Sequence, residues 1–158
     1  MLLKRLFMKT LIVYFSAEAG TTAAVAKQLA AEIRADLFEI RPEKPYTRAD
    51  LNYMNPLARC NREKIANKDV PYQGDVIGFE TYDTILLGFP IWYGGAPNVV
   101  NTFCSAHDFS GKKVYAFATS GGSPIGRTAE KLRPYVSGAC FLDARLVHSA
   151  FEVKEWTA

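Results

Sequence analysis

Three short clusters in this chain carry small, hydroxyl-bearing and aromatic residues at spacings that suit anion and ring recognition. The first is Ser16-Ala17-Glu18-Ala19-Gly20-Thr21-Thr22, which follows the apolar run Thr10 to Phe15. It precedes a stretch in which Ala23, Ala24, Val25, Ala26, Leu29, Ala30 and Ile33 recur at helical spacing. A helix starting near Thr21 or Thr22 points its first, unpaired amide N–H groups back at this turn, and its dipole adds partial positive charge there. Ser16, Thr21 and Thr22 bring hydroxyl donors, and Gly20 lets the backbone approach an anion closely. The turn therefore suits a phosphate monoester held by neutral donors. Neither the lysine-bearing P-loop nor the three-glycine dinucleotide fingerprint is present. A plain N-capped helix after a strand is the alternative reading of the same residues.

The second cluster is Pro90-Ile91-Trp92-Tyr93-Gly94-Gly95-Ala96-Pro97, and the third is Thr119-Ser120-Gly121-Gly122-Ser123. Trp92 and Tyr93 can cover the core, or they can form a wall against which a flat conjugated ring stacks while free backbone groups read its edge. Taken singly, each cluster is ordinary loop composition. What makes them a set is the elements that must position them. The runs Thr10 to Phe15, Leu37 to Ile40, Thr84 to Phe89, Lys113 to Thr119, and Cys140-Phe141 together with Ala144 to Val147 read as five strands. Helices are expected from Thr21 or Thr22 through Ile33, at Pro97 to Ala106, at Ile125 to Tyr135 and, shortly, at Phe151 to Trp156. Alternation of this kind implies a parallel sheet with helices on both faces and right-handed crossovers. Ligands of such sheets bind beyond the carboxyl ends of the strands, where the strand order reverses. All three clusters follow strands at that edge, and together they describe a mononucleotide with a planar head, for which FMN is the natural candidate.

The residues Ser16 to Thr22, Asp50 to Tyr53 with Arg59 to Glu63, Tyr82 to Pro97, Phe103 with Asp108 to Lys113, and Phe117 to Ser123 resemble the short-chain group of the flavodoxin family, over nearly everything from Met8 to Trp156. The resemblance implies a flavodoxin-like three-layer α/β/α sandwich on a five-stranded parallel sheet of order 2-1-3-4-5. It implies FMN as cofactor, with Ser16, Ala17, Ala19, Gly20, Thr21 and Thr22 at the phosphate. Pro90, Ile91, Trp92, Tyr93 and Gly94, and Thr119, Ser120, Gly121 and Gly122, would flank the isoalloxazine. The chain departs from the family in two places. Its phosphate loop is one residue longer than the usual Ser-x-Thr-Gly-x-Thr, with Glu18 inside, so Glu18 must point away from a phosphate. The final helix is also short, which leaves room for a second copy of the chain to cover one sheet face.

Composition bounds the function classes. The 158 residues are 49% hydrophobic, enough for a single domain over residues 8–158, with Met1 to Phe7 as an extension. A net charge of +3 without a basic stripe argues against nucleic acid as a partner. Lys9 interrupts the N-terminal apolar run, so it reads as a first strand and not as a signal core, and no run reaches the length of a membrane span. The expected location is the cytoplasm. Cys60, Cys104 and Cys140 are widely spaced and odd in number, and are expected as buried thiols; His107 and His148 lack nearby metal-ligand partners, so no metal is expected.

Three classes remain open: a flavin electron-transfer protein, an FMN-dependent reductase fed by NAD(P)H and acting on a small redox-active substrate such as a quinone, and a flavin-less binding module. Electron shuttles steer partners with an acidic rim, and 19 basic against 16 acidic residues leave little of one. The polar segment from Tyr46 to Gln73 carries Arg48, Arg59, Arg62 and Lys64. It reads either as a lid whose arginines hold phosphates or as a solvated excursion. No acid-base residue can be assigned, because the cofactor supplies the hard chemistry.

Overall fold

The computed structural model describes residues 9–17 and 20–158; Met1 to Met8, Glu18 and Ala19 lie outside the described residues, and with them the expected N-terminal extension. The elements are β1 (Thr10–Tyr14), α1 (Thr21–Ile33), β2 (Asp36–Glu39), β3 (Arg41–Pro42), α2 (Arg59–Ile65), β4 (Tyr72–Gln73), β5 (Thr84–Pro90), α3 (Asn98–Ser105), β6 (Lys113–Thr119), α4 (Thr128–Leu132), β7 (Phe141–Leu146) and α5 (Ala150–Thr157). Strands β2, β1, β5, β6 and β7 lie side by side in that order and all run parallel. Counted within the sheet this is the expected order 2-1-3-4-5. In register, Val13 faces Leu87, Leu87 faces Ala116, and Ala116 faces Ala144.

The apolar runs of β1, β5 and β6 are continuous because the sheet is buried on both faces at its centre, while the edge strands β2 and β7 are partly exposed. Successive side chains of a strand point to opposite faces, so Leu11 and Val13 join one core while Ile12 and Tyr14 join the other. On the first face Val99, Val100 and Phe103 of α3 close over the sheet with Phe79, Phe109 and Leu132. On the second, Val25, Ala26 and Leu29 of α1 pack beside Ala150 and Val153 of α5. The short last helix thus supplies cover on its own face, and Trp156 reaches edge-on to Tyr115 at 5.3 Å. Between β5 and β6, Gly88 is required by packing: a Cβ there would stand 2.3 Å from the Phe117 ring.

Several expected elements shift. The last strand is one continuous β7, and Cys140 stands outside it and exposed, while Cys60 and Cys104 are buried as expected. The helix expected over Ile125 to Tyr135 contracts to α4, because Gly126 adopts a left-handed φ of 50° and Pro134 turns the end into a single 3₁₀ turn, Arg133–Tyr135. The paired strands β3 and β4 were not expected from sequence. His107 is packed on Phe103 at 4.1 Å and bonded to the Phe103 carbonyl and to Asp75. Among the described residues no group of three or more His, Cys, Asp and Glu is arranged to hold a metal ion. No helix among them is long and apolar enough to cross a membrane.

Candidate active site

The carboxyl ends of β1, β5 and β6 open onto one cleft of about 620 Å³, within the range of small-molecule and cofactor sites. It is lined by Ala17 from the turn after β1, by Ile91, Trp92 and Tyr93 after β5, by Ser120, Gly121, Gly122 and Ser123 after β6, and by Leu51, Tyr53 and Cys60 from the long crossover. Among the described residues, none that lines the cleft is charged.

The described residues on either side of the turn after β1 hydrogen-bond to the start of α1. Gly20 precedes α1 at φ 72°, a left-handed conformation that glycine adopts without strain, and makes no side-chain cap. Ser16 takes over that duty: its Oγ accepts the Ala23 N–H at 3.1 Å. Thr21 is exposed at the first position of the helix. Thr22 is buried, and its hydroxyl lies 2.7 Å from that of Thr119 at the end of β6. Ser16, Gly20, Thr21, Thr22 and Thr119 therefore stand beside the cleft and not in its lining; Ala19 lies outside the described residues.

After β5 the chain reverses tightly. Trp92 and Gly95 bond each other's backbone at 2.9 and 3.1 Å, with Tyr93 and Gly94 between them at φ 54° and 76°. Positive φ at both central residues is the mark of a type I′ reversal, and a bulky tyrosine at such a φ is costly enough to require support. The Tyr93 hydroxyl donates to Asn61 Oδ1 and lies 3.5 Å from Cys60 Sγ. Burial of that hydroxyl, and then the neighbouring thiol, push the phenol's pKa upward. Trp92 is fixed from the other side, edge-on to Phe15 at 5.4 Å and to Tyr46 at 5.2 Å. Pro90 ends β5, and the Gly94 carbonyl faces outward to accept from Lys131 Nζ at 3.1 Å. After β6, Ser120 Oγ accepts the Gly122 N–H at 3.1 Å, shaping a turn whose remaining backbone is exposed toward the cleft.

In the crossover from Tyr46 to Gln73, α2 and the chain after it are held to the body of the fold. Asn98 Nδ2 donates to the carbonyls of Glu63 and Lys68, and Thr102 Oγ1 accepts the Val70 N–H, so α2 and the chain through Val70 are tied to α3. Arg59, which would hold a phosphate if the crossover were a lid, makes its contacts within the crossover itself. Its guanidinium lies 4.0 Å from the Tyr46 ring centroid, pairs with Glu63 at 2.9 Å, and donates to the Lys44 carbonyl at 2.7 Å. Burial and the Glu63 carboxylate drive the Tyr46 pKa up. Leu51, Tyr53, Cys60 and Ser123 were not assigned to the site from sequence. All four fall within stretches that carry the family resemblance, and Ser123 also belongs to the third small-residue cluster.

Residues 9–158 match a family model described as Flavodoxin. A candidate flavoprotein from Bacteroides eggerthii is 37% identical with a TM-score of 0.86, covering 94% of each chain. One from Bacteroides uniformis is also 37% identical, with a TM-score of 0.83 over 95% of this chain and 97% of that one. A flavoprotein from Lactobacillus acidophilus, solved in complex with FMN, shares 23% identity and a TM-score of 0.70 over 96% and 99% of the two chains. No curated protein matches the sequence significantly. With a match over almost its whole length and a strand order to go with it, the chain belongs to the flavodoxin family.

Proposed function

We propose that the chain binds one FMN noncovalently and uses it as a reductase of small, uncharged acceptors, with NAD(P)H as the electron source. The observation that carries this reading is the cleft at the β1, β5 and β6 edge, uncharged among the described residues and walled by Trp92 and Tyr93 on one side and by the Ser120 to Gly122 backbone on another. Its size and aromatic lining fit a flat ring system, and its exposed backbone donors and acceptors fit the ring's polar edge. Beside it, the first amides of α1, the Thr21 hydroxyl and the left-handed Gly20 suit the phosphate of the same molecule. A bound flavin supplies the redox chemistry; the protein's part is to hold it, orient it and limit water at one face.

A dedicated electron shuttle is the second reading, and the same cleft weighs against it, since no acidic side chain among the described residues lines the mouth to steer a basic partner. The reading assigns the protein to the cytoplasm, where the buried thiols Cys60 and Cys104 stay reduced. The test is the visible spectrum of the purified protein titrated with FMN and with riboflavin, followed by anaerobic addition of NADPH or NADH. The reading expects FMN to bind about 10 to 100 times more tightly than riboflavin, through charge-assisted hydrogen bonds to the phosphate. Bleaching by a nicotinamide nucleotide supports the reductase. Bleaching only through a separate reductase returns the protein to the shuttle class.

A further inference from the structure

Asn61, on α2, is buried and spends its whole side chain on two loops that both contribute to the lining of the cleft. Its Nδ2 donates to the carbonyl of Tyr53 at 3.0 Å and to that of Asn55 at 2.7 Å, while its Oδ1 accepts the Tyr93 hydroxyl. Both amide hydrogens face carbonyl oxygens, so the amide has one workable orientation and cannot be turned over. The other bonds shown for the loop are short-range ones: the Leu51, Asn52 and Asn55 N–H groups donate to the Thr47, Ala49 and Asn52 carbonyls, Asn52 Oδ1 accepts the Met54 N–H, and Asn55 Oδ1 accepts the Leu57 N–H. Tyr53, Met54 and Leu57 stand 73, 77 and 78% exposed, so apolar burial does little to keep this loop in place. Tyr93, for its part, sits at a φ its side chain disfavours.

We propose that Asn61 is a positioning residue for the cofactor: it latches the loop over residues 51–57 to the Trp92–Gly95 reversal and so sets the spacing of two of the segments that line the cleft. The proposal rests on the FMN reading for its ligand, although the latch is a property of the apoprotein. Three variants take it apart. Tyr93→Phe removes one arm and keeps the ring. Asn61→Asp keeps an acceptor for Tyr93 and sets a carboxylate against the Tyr53 and Asn55 carbonyls, releasing the loop. Asn61→Ala removes both arms.

The experiment is hydrogen–deuterium exchange of the apoprotein together with the rate of FMN release from the holoprotein, read by the return of free-flavin fluorescence. Exchange is expected to rise over residues 92–95 in Tyr93→Phe, over residues 51–57 in Asn61→Asp, and over both in Asn61→Ala. FMN release is expected to quicken about tenfold in Tyr93→Phe, the worth of one hydrogen bond, and further in Asn61→Ala. The double variant Asn61→Ala with Tyr93→Phe is expected to release FMN no faster than Asn61→Ala alone, because both act on one bond. Unchanged exchange in these loops, or additive effects in the double variant, overturns the latch. Should Asn61→Ala fail to fold, Tyr93→Phe and Asn61→Asp still decide the matter. Should the wild type take up no FMN, the functional reading falls alone, and the exchange pattern decides the latch.

Discussion

Thr21 and Thr22 adjoin in sequence at the start of α1, yet the first is exposed and the second is buried with its hydroxyl 2.7 Å from that of Thr119. Helical geometry accounts for the split, since neighbouring positions point about 100° apart and only one can face the sheet. The two hydroxyls therefore do different work. Thr21→Ala is expected to weaken FMN binding with little effect on the apoprotein, because an exposed hydroxyl at a helix N-terminus exchanges only water. Thr22→Ala is expected to cost the apoprotein about 1 to 3 kcal/mol, through a buried Thr119 hydroxyl left unpaired. Urea unfolding of each apoprotein beside an FMN titration checks both, and equal behaviour of the two variants contradicts the division. Sequence alone shows two threonines in a turn. Which one meets solvent depends on the rotation of α1 against β6, a tertiary fact.

At the scale of elements, the central strands are legible because burial on both faces forces unbroken apolar runs such as Thr84 to Pro90, whereas the strand order is legible only through the family resemblance. The two-residue strands β3 and β4 are not, since two residues carry no period to read. The crossover from Tyr46 to Gln73 is the instructive case. Its arginines suggest phosphate recognition by residue type, but Arg59 is fixed against Tyr46, Glu63 and the Lys44 carbonyl, with only 12% of its side chain exposed. Two of these partners lie more than ten positions upstream of it, and charge patterning along the sequence cannot foresee that. Arg59→Ala is accordingly expected to lower stability by about 1 to 3 kcal/mol, since it strands the Glu63 carboxylate and unseats the Tyr46 ring. Arg59→Lys should recover only part, as an ammonium cannot reproduce the planar stacking. Thermal unfolding of the apoprotein measures this. An unchanged midpoint with slowed flavin reduction by NADPH would restore Arg59 as a ligand.

For the molecule as a whole, tyrosine protonation sets an alkaline limit. Tyr14, Tyr46, Tyr72 and Tyr93 all have pKa values pushed above the ordinary 10, burial being the largest cause in each. Tyr82 is pushed up to about 12, first by its 2.7 Å hydrogen bond to Asp36, which ties the approach to β5 to the edge strand β2. A folded-state pKa above the unfolded one means that the native protein keeps protons the unfolded chain has released. The stabilisation from each group is whole below the unfolded value near 10 and is lost as pH rises through its own folded value, about 12 for Tyr82. Denaturant midpoints are expected to hold level to about pH 9 and then fall steeply. In Tyr82→Phe the fall between about pH 10 and 12 should be shallower, and an unaltered slope contradicts the assignment to Tyr82.

The hydroxyl pair of Thr22 and Thr119 joins positions 97 residues apart, and this dates the site in the history of the folding chain. A parallel sheet brings such distant segments together late, after the entropy of closing long loops has been met. The Thr22 end of the proposed phosphate site cannot reach its final contact until β6 has docked against β5. FMN then meets a finished receptor, and cannot serve as a template around which the chain collects. Refolding rates are therefore expected to be the same with and without FMN, while unfolding slows as FMN is added, the signature of a ligand whose contacts arise only after the transition state. Stopped-flow refolding over a range of FMN concentrations measures this, and acceleration by the flavin would mean that the turn forms early.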